Sequence, residues 1–151
     1  MLDQSPAIAR SPVPVRALYS ESMSQTPTRA EQSATRITKL VFPQNTNPIG
    51  TLYGGTALQW MDEVAFLAAT RFARRQVVTV SMDKVDFKVA IPEGSIVELL
   101  GEVVASGRTS MTVRVRILLE DAMAGTQELA IEGHLVMVAV DGTMQPVAIA
   151  S

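Results

Sequence analysis

Apolar positions recur with two different periods along this chain, and each change of period marks a new element. Residues 1 to 34 show neither period. Half of the eight prolines fall there with many Ser, Thr and Gln, which predicts a mostly disordered N-terminal tail. From Thr35 the pattern tightens, and Ile37, Leu40 and Phe42 predict a first strand closed by Pro43. A polar, glycine-bearing loop from Thr46 to Gly55 then runs into a stretch reaching Arg74 with helical apolar spacing. Ala57, Leu58, Trp60, Met61, Val64, Ala65, Leu67, Ala68 and Ala69 make this predicted helix apolar almost all round. A helix of that kind must be covered on most sides.

Four runs of period two follow. Between Val77 and Val89 the apolar set is first Val78, Val80 and Met82, then Val85, Phe87 and Val89, a slip of phase that predicts a β-bulge near Asp83 and Lys84. Ser95 to Ser106 presents Val97, Leu99, Gly101, Val103 and Ala105 on one face, with Glu98 and Glu102 on the other. Thr109 to Glu120 alternates Met111, Val113, Val115, Ile117 and Leu119 with polar residues. Gln127 to Val140 turns Leu129, Ile131, Leu135, Met137 and Ala139 inward, and Asp141 and Gly142 end it. The pattern predicts an α+β fold in which an antiparallel β-sheet wraps one long central α-helix. The expected organisation is a tail at 1–34, a single domain at 35–141 and a C-terminal tail at 142–151. One sheet covers only part of such a helix, so the remaining flank is expected to meet a second subunit.

Composition changes the picture mainly by exclusion. The chain of 151 residues suits one domain. It contains no cysteine, which removes disulfides, thiolate metal sites and cysteine nucleophiles and fits a reducing, cytoplasmic setting. No metal is expected. A net charge of −2 argues against a nucleic-acid surface or an anionic membrane surface as partner. No apolar run is long enough to span a membrane, and the N-terminus lacks the charged-then-apolar pattern of a secretory signal.

The candidate chemistry lies on the helix. At 100° per residue Asp62 shares a stripe with Leu58, Ala65, Phe66, Ala69 and Ala73, whereas Glu63 falls among Thr56, Gln59, Thr70 and Arg74. A carboxylate on an apolar face loses hydration that it must recover from specific partners, and such placements are over-represented at functional sites. Geometry alone leaves two readings open: a functional carboxylate, or a paired or partly solvated one at an interface. His134, the only histidine, is in phase with outward Glu128 and Glu132 and is expected at the surface.

The stretch from Phe42 through Asn47, Gly54, Gly55 and Asp62 to Ala65 resembles the loop and central helix of hot-dog-fold acyl-CoA thioesterases, in particular the YciA and brain-type acyl-CoA hydrolase group. Val77 to Phe87, Gly101 to Val104, Gly107 to Met111 and Val138 to Asp141 resemble the same family in the same order. The resemblance implies a hot-dog fold and hydrolysis of a fatty or other acyl-CoA to free acid and CoA. Asp62 would be general base or nucleophile. Gly54 and Gly55 would offer backbone N–H groups to the thioester oxygen; their other reading is a tight turn into a helix. Relatives commonly carry Asn or Asp where this chain has Thr51, and some carry His where it has Tyr53, which leaves Asn47 or Thr51 to orient water. Arg108, Thr109 and Ser110 would lie near the CoA phosphates, although a solvated hairpin tip explains them as well. The implied partners are acyl-CoA and further copies of the chain: a homodimer at least, extended to a trimer of dimers or a tetramer. No cofactor is implied beyond CoA as part of substrate and product. Two alternatives remain: a non-catalytic acyl-CoA-binding hot-dog domain, and a thioesterase for aryl or phenylacetyl-CoA. A hot-dog dehydratase would need a histidine beside its carboxylate, which the outward His134 does not supply.

Overall fold

A computed structural model describes residues 13–14 and 26–151. Its elements are β1 (Val13–Pro14), α1 (Arg29–Ser33), β2 (Thr35–Leu40), α2 (Gly54–Ala73), β3 (Gln76–Phe87), β4 (Ile96–Ser106), β5 (Ser110–Asp121) and β6 (Thr126–Val140). The antiparallel sheet runs β2-β4-β5-β6-β3, and the two-residue β1 lies beside Thr126 and Gln127, past the point where β3 leaves β6. One long helix against five strands is the predicted architecture. Among the described residues no helix is long and apolar enough to cross a membrane.

Alanines set how closely α2 approaches the sheet. Its buried residues are Ala57, Trp60, Met61, Val64, Ala65, Ala68, Ala69 and Ala73, and they rest on Val97, Leu99, Val113, Val115, Leu135 and Met137. Burying each larger aliphatic side chain contributes about 1.5–3 kcal/mol. Glycine completes the fit beneath the helix: a Cβ on Gly101 would stand 3.0 Å from the Val64 carbonyl oxygen. Backbone cannot step aside as a side-chain tip can. Gly101→Val is therefore expected to destabilise the domain by about 1–3 kcal/mol, read as a lower urea midpoint with an unchanged slope. An unchanged midpoint would mean that α2 is not seated where the structure puts it.

Arg74, in a left-handed conformation at φ 51° and ψ 39°, ends α2. At the other end the predicted first strand is correct in place but shifted in phase. Thr35, Ile37 and Val41 face inward, while Leu40 and Phe42 are exposed. Lys39 shares the inward phase because its ammonium lies over the Trp60 ring, 5.1 Å from the centroid.

The predicted bulge is present in β3, where the register shifts between Asp83 and Asp86 and Lys84 adopts φ 49°. A second shift, between Thr79 and Ser81, leaves Met82 packed against the core as expected but reverses the expected facing of the residues before it. Val77 pairs with Ala139 and Thr79 with Met137, so these two share the inward row and Val78 does not. In β6, Leu129 is only half-buried, and Ala130 takes the interior place after a register shift against β5.

The expected tail boundary is revised. Thr28 caps α1 through a capping box, its Oγ1 accepting from Glu31 N while its own N–H donates to Glu31 Oε2. The Arg29 guanidinium lies over Phe72 and donates to the Ala150 carbonyl at 2.5 Å, so α1 is docked on the C-terminal end of α2. Residues 26–34 thus belong to the folded domain. For residues 1–12 and 15–25 the disorder expected from sequence lies outside the described residues. The segment 142–151 also packs: Ile149 N–H donates to Arg108 O and Ala150 N–H to Ala73 O, tying the β4–β5 turn to the end of α2.

Candidate active site

The site residues named from sequence sit at three levels along α2. The loop before the helix is closed by Asn47, whose Oδ1 accepts from the N–H groups of Ile49 and Thr51, both at 3.1 Å. Its Nδ2 donates to Thr51 Oγ1 at 2.8 Å, and Gly50 supplies the left-handed turn at φ 81°. Asn47 and Thr51 are brought together, though with each other and not with Asp62.

Gly54 and Gly55 form the first two positions of α2 after Tyr53, which makes no side-chain cap. Helix geometry leaves their N–H groups without intrahelical partners. Both residues are exposed. Neither glycine is needed by the protomer: neither has a positive φ, a Cβ on Gly55 meets nothing within 4 Å, and one on Gly54 makes ordinary contact with the Phe87 ring. The turn that does require glycine is at Gly50.

Asp62 stands two turns further on, half-buried, with its Oδ1 accepting from Thr79 Oγ1 at 2.6 Å. Thr79 is the functional candidate that the sequence reading missed. Apolar alternation put Val78 and Val80 inside, and the register shift that aims Thr79 at Asp62 arises from pairing with β6. Exposed apolar side chains lie along this side of the molecule: Phe66, one turn past Asp62, is 45% exposed, Val80, next to Thr79, is 61% exposed, and Phe87, at the level of Gly54, is 54% exposed. The strand lies at the end of the sheet, where unpaired edges invite another chain.

Arg108 and Thr109 occupy the β4–β5 turn, closed by Gly107 N–H donating to Ser110 O at 2.9 Å, with Ser110 opening β5. The Ile149 and Ala150 contacts place that turn at the C-terminal end of α2, a helix length of roughly 30 Å from Gly54. One protomer therefore does not bring together all the residues named from sequence. His134 is half-buried on the outward row, between Asp83 of β3 and Arg114 of β5 in register. Among the described residues there is no group of three or more His, Asp or Glu able to hold a metal ion.

An antiparallel sheet wrapped around one helix, with a carboxylate on that helix and uncapped glycines at its start, defines the hot-dog class of thioesterase-like proteins. The Thioesterase superfamily matches residues 49–126, and this chain belongs to it. An uncharacterized acyl-CoA thioester hydrolase of Bacillus subtilis is 40% identical over 112 residues, covering 74% of this chain and 65% of the relative. The match thus spans just under two thirds of that relative's length. Among solved structures, the acyl-CoA hydrolase of Staphylococcus aureus in complex with butyryl-CoA, CoA and CoA disulfide is 35% identical with a TM-score of 0.78, over 81% of this chain and 74% of that one. A hexameric acyl-CoA thioesterase is 43% identical with a TM-score of 0.76, over 80% of this chain and 77% of that one. The Staphylococcus enzyme is also known with an asparagine, an aspartate 15 residues later, or a threonine 17 residues after that changed to alanine.

Proposed function

We propose that this protein hydrolyses acyl-CoA to the free acid and CoA, with Asp62 as the catalytic carboxylate. The observation that carries this reading is the Thr79 hydroxyl at 2.6 Å from Asp62 Oδ1, on a helix flank open to a ligand. Asn47, Asp62 and Thr79 repeat the 15- and 17-residue spacing of the three positions altered in the Staphylococcus enzyme. One carboxylate oxygen is oriented by Thr79, and the other is left to take a proton from water or to attack the thioester carbon. The oxyanion that then develops is received by the N–H groups of Gly54 and Gly55 at a helix N-terminus, where the dipole favours negative charge.

Gly54 and Gly55 belong, for a given Asp62, to the helix of a second copy. Along one helix they lie roughly 10–12 Å from Asp62, too far for one reacting group. Two antiparallel α2 helices about a two-fold axis bring the start of each beside the middle of the other and cover Phe66, Val80 and Phe87. The same pairing carries the Asn47–Thr51 loop towards the partner copy's carboxylate, where the second Nδ2–H of Asn47, beyond the one donated to Thr51 Oγ1, can hold water. Arg108, Thr109 and Ser110 serve the CoA end. The hexameric relative supports a trimer of such dimers.

The test is release of free CoA from acyl-CoA esters of graded chain length, followed with a thiol reagent, with an aryl-CoA in the series. Turnover of none of them would overturn the assignment and leave an acyl-CoA-binding domain. Thr79→Ala should lower kcat by roughly 10- to 100-fold, the worth of one hydrogen bond to a charged group, with KM changed little. Equal losses in folding stability and rate would instead make Thr79 a structural residue.

A further inference from the structure

A cavity of about 610 Å³ lies between the β5–β6 hairpin and the loop that leads into β4. None of the residues named for the chemistry above lines it. Ile96 of β4, Glu120 of β5 and Gln127 of β6 stand side by side in register across it. Gln127, 3% exposed, is the most buried of the described wall residues, while Asp121 and Met123 of the hairpin stand exposed at the mouth.

Gln127 is the residue that points to a ligand. Its Nε2 donates to Glu98 Oε2 at 3.0 Å, and an ionised carboxylate accepts only, so the orientation of the amide is fixed. Its Oε1 is left buried without a hydrogen-bond partner. A buried acceptor in that state is costly, and a ligand bearing N–H groups relieves it. The rest of the wall sets the charge of that ligand. Glu120, Asp121 and Glu128 line the cavity, and among the described residues no Lys or Arg does. Nor, among the described residues, does any group of three or more His, Asp or Glu come together to hold a metal ion. Carboxylates spread around a cavity suit a cation whose charges are spread as well, and Ile96, Leu119 and Met123 offer apolar surface to the methylenes between those charges.

We propose that this cavity binds an aliphatic polyamine in its ammonium form, one ammonium group donating to Gln127 Oε1 and another lying among the carboxylates, and that its occupancy is felt by the Asn47–Thr51 loop. The back wall supplies the route. Pro92 and Gly94 line the cavity, and Pro92 forms a β-bridge with Thr51. Between them Glu93 N–H donates to Gly50 O at 2.9 Å, and Gly94 N–H donates to Val41 O at 2.8 Å. A ligand that steadies this segment therefore steadies the loop that Asn47 closes from within. The binding stands apart from the acyl-CoA reading above; its effect on turnover rests on that reading.

Calorimetric titration with spermidine, putrescine and ethylamine tests the site. Spermidine should bind the wild type saturably and most tightly, and ethylamine most weakly. Gln127→Leu, which removes the acceptor, should weaken spermidine binding roughly tenfold, and Glu120→Gln roughly two- to fivefold. Glu120 is half-buried, so its variant keeps the test decisive if Gln127→Leu folds poorly. No saturable binding by the wild type would overturn the site, as would an affinity that Glu120→Gln leaves unchanged or full displacement of spermidine by equimolar Mg²⁺. Transmission to the loop is read with an acyl-pantetheine, because spermidine pairs directly with the phosphates of an acyl-CoA. Saturating spermidine should lower its KM about twofold in the wild type by holding the loop ready, and less at the same concentration in Glu120→Gln. An unmoved KM alongside measured binding would refute the transmission, and so would an equal shift in both proteins. Were no thioester hydrolysed, the calorimetry would still sustain or remove the cation site, so the two readings fail separately.

Discussion

Asp62→Asn should abolish most acyl-CoA hydrolysis, by about 10²- to 10⁴-fold in kcat, while the protein keeps its Tm and oligomer size. The amide is nearly isosteric with the carboxylate, and its oxygen can still accept from Thr79 Oγ1, so the one hydrogen bond that holds the side chain survives. What it loses is the capacity to take a proton or to attack carbon. Asp62 carries no ion pair in the described structure, which removes the usual reason for a carboxylate-to-amide change to unfold a domain. Near wild-type turnover by a correctly assembled variant would dismiss Asp62 as the catalytic group. Heavy oxygen found in the Asp62 carboxylate after a single turnover in labelled water would establish the nucleophile, because a general base keeps its own oxygens.

Mixing Asp62→Ala with Gly55→Val should restore activity that neither protein has alone, to about a quarter of the wild-type level. Gly55 is the position for this test because a side chain there meets nothing within 4 Å in the protomer, so valine obstructs what approaches from outside. Random reassembly makes about half of the dimers mixed, and each mixed dimer holds one site free of both changes. A site built within a single chain gives no recovery at all. Verified mixed dimers without hydrolysis would refute the shared site and with it the geometric reason for pairing the helices.

Much of the fold was legible in the sequence because its two periods are local quantities. Residues at 3.6-residue spacing on α2 and at two-residue spacing along most of β4 and β5 face the core, and Val97, Leu99, Val113, Val115 and Ile117 are all fully buried, whereas Ala105, beyond a register shift after Val103, is exposed. The capping box of Thr28 and Glu31 was legible too, as a four-residue signature, but the polar, proline-bearing composition around it obscured it. The stripe position of Asp62 was a helical-wheel fact needing no third dimension.

What only the tertiary structure decided lies where a strand's facing depends on its partner. The register shift between Thr79 and Ser81 turns Thr79 inward, and nothing in the alternation of Val78 and Val80 announces it, since both phases offer apolar residues. The chain termini gave no pattern either. The Arg108 turn, Ile149, Ala150 and the end of α2 are joined through backbone carbonyls and N–H groups, which no composition marks, and the Arg29 guanidinium adds a bond to the Ala150 carbonyl. By itself the sequence determined most of the faces that are buried and set Asp62 on an apolar stripe of the helix. The folded chain determined that Asp62 has Thr79 for a partner, and that Gly54, the carboxylate and the Arg108 turn stand at three separate levels along one helix.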